Sequence, residues 1–155
     1  MGGLTVRARF EAMHHDAARG ELAAWEDSAE GALALLLLLD QFPRNMFRNS
    51  PHAFATDPLA RGIATRAIER GFDRAVAPEL RSFFYLPFEH SETAADQARC
   101  VALCEDTGDE SLVKWAKIHA DIITRFGRFP HRNAALARVT TPEEQAFLDE
   151  GGFAG

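Results

Sequence analysis

Two short segments concentrate the side chains able to do chemistry: Gln41-Phe42-Pro43-Arg44-Asn45 and Arg128-Phe129-Pro130-His131-Arg132-Asn133. In each, an apolar-rich helical stretch meets Phe-Pro, and arginine and asparagine follow within three residues. The pattern predicts a rigid turn that anchors Phe inward and presents Arg and Asn at a helix end. Arginine offers a planar fork of donors matched to carboxylate or phosphate. Asparagine adds a donor and an acceptor that can orient a ligand. Neither 41–56, which holds Arg44, Arg48 and His52, nor 122–142, which holds Arg125, Arg128, His131, Arg132 and Arg138, contains an Asp or Glu. With 23 acids in 155 residues, two such windows stand out. They point to a pocket for a small phosphorylated or carboxylated ligand, with Asp40, Gln41, Arg44, Asn45, Arg48, Arg125, Arg128, Arg132 and Asn133 as ligand-binding candidates. The structural alternative is that these arginines cap helix C-termini and pair with Asp40, Glu92 or Asp96.

A second cluster is Glu89-His90-Ser91-Glu92, with Asp96 one helical turn further. A histidine beside carboxylates can move protons or bind a divalent ion, and His90, Glu92 and His131 are the acid/base candidates. The spacing fits no zinc signature, so no metal ligand is assigned and any cofactor is left unknown. Asp40 follows Leu36 and Leu37 by four and three residues, which directs it to the buried side of a leucine helix. A carboxylate there requires a partner, and Arg44 or an arginine of the second segment can supply it. His119 shares a helical face with Trp115, Ile122 and Phe126 and reads as a core histidine. His14, His15 and His52 read as surface residues.

The elements that must position these groups are helices, because no alternating strand pattern persists. The spacing predicts helices over Thr5–Arg19, with Val6, Phe10 and Met13 on one face, and over Ala29–Gln41 behind a Ser28 cap. It places the end of the second helix at Phe42-Pro43. Further helices are expected over Leu59–Arg70 behind Asp57-Pro58, Pro78–Leu86 broken at Pro87, and Ser91–Asp106. A long helix capped by Asp109 comes next, then a short one opened by Thr141-Pro142-Glu143-Glu144. Short connections imply antiparallel pairs in one all-α domain spanning residues 1–155. The net charge of −6 argues against a nucleic-acid binder, although all but two of the 17 basic residues are arginine. The leucine run 33–39 is too short to span a membrane. Cys100 and Cys104 read as buried thiols, and the expected location is cytoplasmic.

Four strings together resemble a family. They are Leu39 to Asn45, Phe54-Ala55-Thr56-Asp57-Pro58-Leu59-Ala60, Tyr85 to Glu92, and Arg125 to Asn133. In this order they are similar to the bacterial Domain of Unknown Function 924 family. The resemblance implies a TPR-like fold of antiparallel helix pairs, an α-α superhelix, and no particular activity. It also implies that a Trp- and Phe-containing segment, which in members precedes the helix beginning here near Thr5, is missing or shortened. Two functions remain open: a protein, enzyme or not, that binds a small anionic ligand, or an interaction module that offers a groove to a protein partner. The oligomeric state is not indicated.

Overall fold

A computed structural model describes residues 2–155, without the side chains of residues 2–4 and 6, so Val6 lies outside the described side chains. Among the described residues every regular element is helical. Eight α-helices follow in order: α1 Gly2–Ala18, α2 Ala29–Leu36, α3 Phe42–Met46, α4 Asp57–Glu69, α5 Leu86–Glu89, α6 Ala94–Thr107, α7 Glu110–Phe126 and α8 Pro142–Asp149. Of the anticipated α1 face, Phe10 packs on the ring of Phe42 at 4.8 Å, while Met13 is turned outward. Ser28 caps α2 by accepting from the Gly31 amide. Gly31 is required there, because a Cβ would stand 1.9 Å from the Trp25 carbonyl oxygen.

The largest departure from the sequence reading is at Pro43. The helix does not end at Phe42-Pro43 but passes through a π-helical turn, Leu37–Gln41, and continues as α3. The Phe42 amide reaches the Leu37 carbonyl, and Pro43 has no N–H to offer. The carbonyls released by this widened turn find other donors. His14 Nδ1 donates to Leu38 at 2.7 Å, Thr56 Oγ1 to Leu39 at 2.6 Å, and Arg44 Nη1 to Asp40 at 2.8 Å. The first Phe-Pro-Arg-Asn segment is thus helical and not a turn. His14, expected at the surface, is fully buried by this task, and His15 and His52 beside it are partly buried.

Pro87 likewise opens α5 at its first turn instead of breaking a helix, and the aromatic stretch before it, Pro78–Phe84, is 3-10. Asp57 begins α4 without capping it. α6 starts at a Thr93 cap, not at Ser91, and α7 at the Asp109 cap. Gly108 and Gly127, both left-handed, end these two helices, and the two-residue link folds α7 back along α6. The capping box at Thr141 and Glu144 forms as the sequence indicates.

A main core joins the leucines of α2 and the π turn with Ile63, Phe84, Tyr85, Phe88 and the buried, unbridged thiols Cys100 and Cys104. A second cluster of Ile122, Ile123 and Phe129 gathers Phe126, Phe147 and Phe153 around the C-terminal segment. The seam between this cluster and the helical body is where the polar residues collect. No helix among those described is long and apolar enough to cross a membrane.

Candidate functional site

The π turn and α3 bring Asp40 and Arg44 to the same side, one helical turn apart. Asp40 is buried, and Arg44 meets it at 3.3 Å while forming a two-pronged bond to Asp57 at 2.9 Å on each arm. Gln41 donates to Asp40 at 2.8 Å, and His90 Nδ1 stands 2.9 Å from its other oxygen. Burial disfavours the Asp40 charge, but His90, Arg44 and Gln41 outweigh it and hold the carboxyl below its ordinary range. With Asp40 ionised, His90 Nδ1 carries the proton, which leaves Nε2 as the basic atom. Burial lowers the His90 pKa, while Asp40 pulls it the other way. This is the carboxylate–imidazole pairing by which a general base is oriented.

α5 ends at His90, and the 3-10 turn Pro130–Arg132 comes up opposite. Arg132 is 6% exposed and lies between the rings of Phe54 and Phe129, its guanidinium carbon 4.6 and 4.7 Å from their centroids. It donates one hydrogen bond, from Nη2 to the His90 carbonyl at 2.7 Å, and its buried Nε–H has no acceptor. No carboxylate lies within ion-pair distance of it among the described residues. Burial and the nearby Arg44 charge lower its pKa to about 10. Beside it the buried Nδ1 of His131 also lacks a partner, and burial together with Arg132 brings that imidazole to about 4.

These groups face one cavity of about 520 Å³, lined by Arg44, Asn45, Arg48, His90, His131 and Arg132. The two segments and His90 therefore converge. Other predicted members stay outside the cavity. Asp40 and Gln41 stand behind His90 and Arg44. Asn133 is buried against Thr140 and Arg138. Glu92 accepts from Arg138 at 2.8 and 3.1 Å and from the Phe129 amide at 2.6 Å. Those bonds overcome its burial and keep it below the ordinary glutamate value, so it acts as a clasp between segments. Arg128 pairs with Glu144 at 2.8 and 2.9 Å, a bond that holds Glu144 to about 2, and Arg125 lies over Phe126 and Phe147. The echo between the two segments is thus partial: Arg44 and Arg132 share the cavity, while Arg128 serves α8.

Three residues of the site escaped the sequence reading. His119 is buried, as its helical spacing indicates, and its Nδ1 donates to the Trp115 carbonyl at 2.8 Å, yet it also lines the cavity. Burial lowers it to about 4, and Glu89 behind it, 3.9 Å away, is raised to about 7 by burial and by Asp40. Phe153 lies 4.6 Å from the His119 ring and 5.2 Å from that of His131, forming an apolar wall. Asp57 was read as a helix cap, and only the fold reveals it as the partner of Arg44. No local pattern marks any of the three.

The model of the family described as "Bacterial protein of unknown function (DUF924)" matches residues 3–152, and the chain belongs to that family. Among solved structures it is similar to a protein of unknown function from Agrobacterium tumefaciens. The identity is 54%, the match covers 94% of this chain and 82% of that one, and the TM-score is 0.90. No curated protein matches the chain.

Proposed function

We propose that this DUF924 protein binds a small molecule through one anionic group, phosphate or carboxylate, held at Arg132, with His90 placed to exchange a proton with it. The observation that carries this reading is the isolation of Arg132. Its neighbours Arg44, Arg128 and Arg138 each have a carboxylate, from Asp57, Glu144 and Glu92 respectively. Arg132 is more buried than any of them and, among the described residues, has no carboxylate within ion-pair distance. An uncompensated charge removed from water costs several kcal/mol, roughly, even after relaxation. A ligand anion supplies the missing counter-ion and an acceptor for Nε–H in one contact. The flanking Phe rings fix the plane of the guanidinium and exclude water from its faces.

The cavity suits a ligand of metabolite size, since small-molecule pockets run to roughly 300–1,000 Å³. Arg48 and Asn45, bonded to each other at 3.1 Å, offer polar contacts at its rim, and Phe153 and Phe54 offer apolar ones. His90 Nε2 is the base: it takes a proton from a ligand hydroxyl or a water, and Asp40 stabilises the imidazolium that results.

A thermal-shift panel of phosphate, phosphosugars, nucleotides and dicarboxylates tests the reading. A ligand at a hundred times its Kd adds about 2.7 kcal/mol of stability, which moves the midpoint by several degrees. The expected result is a shift with at least one anion class that disappears in Arg132→Met. The absence of a shift with every anion, or a shift that survives in Arg132→Met, overturns it.

A further inference from the structure

Apart from the cavity, three imidazoles from two elements meet. His14 and His15 come from α1, and His52 from the 3-10 turn Pro51–Ala53, itself capped by Ser50. Their ring centroids form a near-equilateral triangle, with sides of 5.2, 5.3 and 5.6 Å. One ring nitrogen from each lies within 4.8 Å of the other two. Adjacent residues on a helix ordinarily diverge, so the convergence of His14 and His15 depends on His52 standing between their directions.

The protonation pattern follows from the hydrogen bonds. His14 Nδ1 must donate to the Leu38 carbonyl, so its Nε2 carries a bare lone pair. That lone pair accepts from His52 Nε2–H, 3.2 Å away, and a metal ion between the two nitrogens would replace this proton. Two imidazole nitrogens on a tetrahedral zinc ion, each at ~2.0–2.1 Å, stand about 3.3–3.4 Å apart, close to this separation. The Leu38 carbonyl is also the acceptor that a ligating histidine ordinarily uses to fix its tautomer and orientation. His52 is held from its other side by Phe47, stacked at 3.7 Å with planes 6° apart. The carboxylate of Glu11 lies 3.7 Å from His15 Nε2 and is shared with Arg7.

We infer that His14, His15 and His52 form a binding site for a borderline divalent transition ion such as Zn2+, Co2+ or Ni2+. His14 and His52 supply Nε2 donors, and His15 completes a face of three nitrogens. At least one further position is left for water or for Glu11. Imidazole ligands with no thiolate select these ions over Mg2+ and Ca2+, which take oxygen donors. The site does not depend on the anion cavity, whose histidines are His90, His119 and His131.

The test is a Co2+ titration of the metal-stripped full-length protein, read by visible d–d absorption and by bound metal after dialysis. A single equivalent with an intense low-symmetry spectrum is expected, and His52→Gln and His15→Gln should each weaken it at least tenfold. His14 also holds the Leu38 carbonyl and is therefore left intact, and circular dichroism checks that the two variants remain folded. His131→Gln, which removes a cavity imidazole, should leave Co2+ binding unchanged. Failure to bind a stoichiometric equivalent overturns the inference, as does loss in His131→Gln with retention in His52→Gln.

Discussion

At the scale of single residues, Arg44 and Arg132 look alike in sequence and have opposite energetic roles. Arg44 neutralises two buried carboxylates, so Arg44→Met leaves Asp57 without its partner and Asp40 with Gln41 and His90 alone, and should cost about 3–5 kcal/mol in urea unfolding. Arg132→Met removes a buried charge with no carboxylate in ion-pair contact and should leave stability unchanged or higher in anion-free buffer. The sequence disclosed the arginine clustering but not this division, because the deciding partner, Asp57, lies 13 residues from Arg44 and belongs to another helix. The buried imidazoles give a pH signature. His119 and His131 titrate at about 4 in the fold, below the ordinary value of about 6.5 in the unfolded chain. Their folded-state values are depressed, so the unfolded chain binds protons first and stability falls as pH drops from about 6.5 towards 4. Glu89, raised to about 7, has the opposite sign: its contribution is present at low pH and fades as pH rises through 7. Urea midpoints across this range should therefore show a flatter curve for His131→Gln and a steeper acid loss for Glu89→Gln.

At the scale of elements, the π turn at Leu37–Gln41 determines the geometry of the site. Its extra residue per turn, with the proline that follows, releases carbonyls that recruit His14, Thr56 and Arg44. It also keeps Asp40 and Arg44 facing His90. Helix caps at Ser28, Asp109 and Thr141 were legible in the sequence because each is a local side-chain-to-amide bond. The fate of Phe42-Pro43 was not, because a proline ordinarily ends a helix unless distant donors replace the lost bond. Those donors sit 24 and 17 residues away along the chain from their acceptors. Thr56→Val keeps the shape and removes one donor, and should cost about 1–3 kcal/mol by orphaning the Leu39 carbonyl. A cost near zero in denaturant unfolding would mean that the widened turn does not need this support.

At the scale of the molecule, the cavity lies in the seam between the helical body and the C-terminal segment. Among the described residues, hydrogen bonds cross that seam from Glu92 to Arg138 and to the Phe129 amide, and from Arg132 to the His90 carbonyl. A ligand seated on Arg132, His90 and Arg44 bridges both sides. Saturating anion should therefore slow amide hydrogen exchange in residues 42–54 and 128–155 together, and leave the link between α6 and α7 unchanged. Protection confined to one side would place the ligand elsewhere. The all-helical class and the pairing of α6 with α7 were readable from periodicity and short links. Residues 44, 90 and 132 were grouped as candidates by their chemistry, but their distances and partners were not legible, since only packing sets them.

Anion binding at Arg132 is read most directly from its own Nε–H, followed by proton–nitrogen NMR in a phosphate titration and in parallel titrations with phosphosugars and dicarboxylates. This resonance should move downfield and saturate with one anion class, as the unpaired donor gains a charged acceptor, while the Arg44 resonance, already paired, moves little. An Arg132 resonance that stays fixed through every titration would contradict anion binding there.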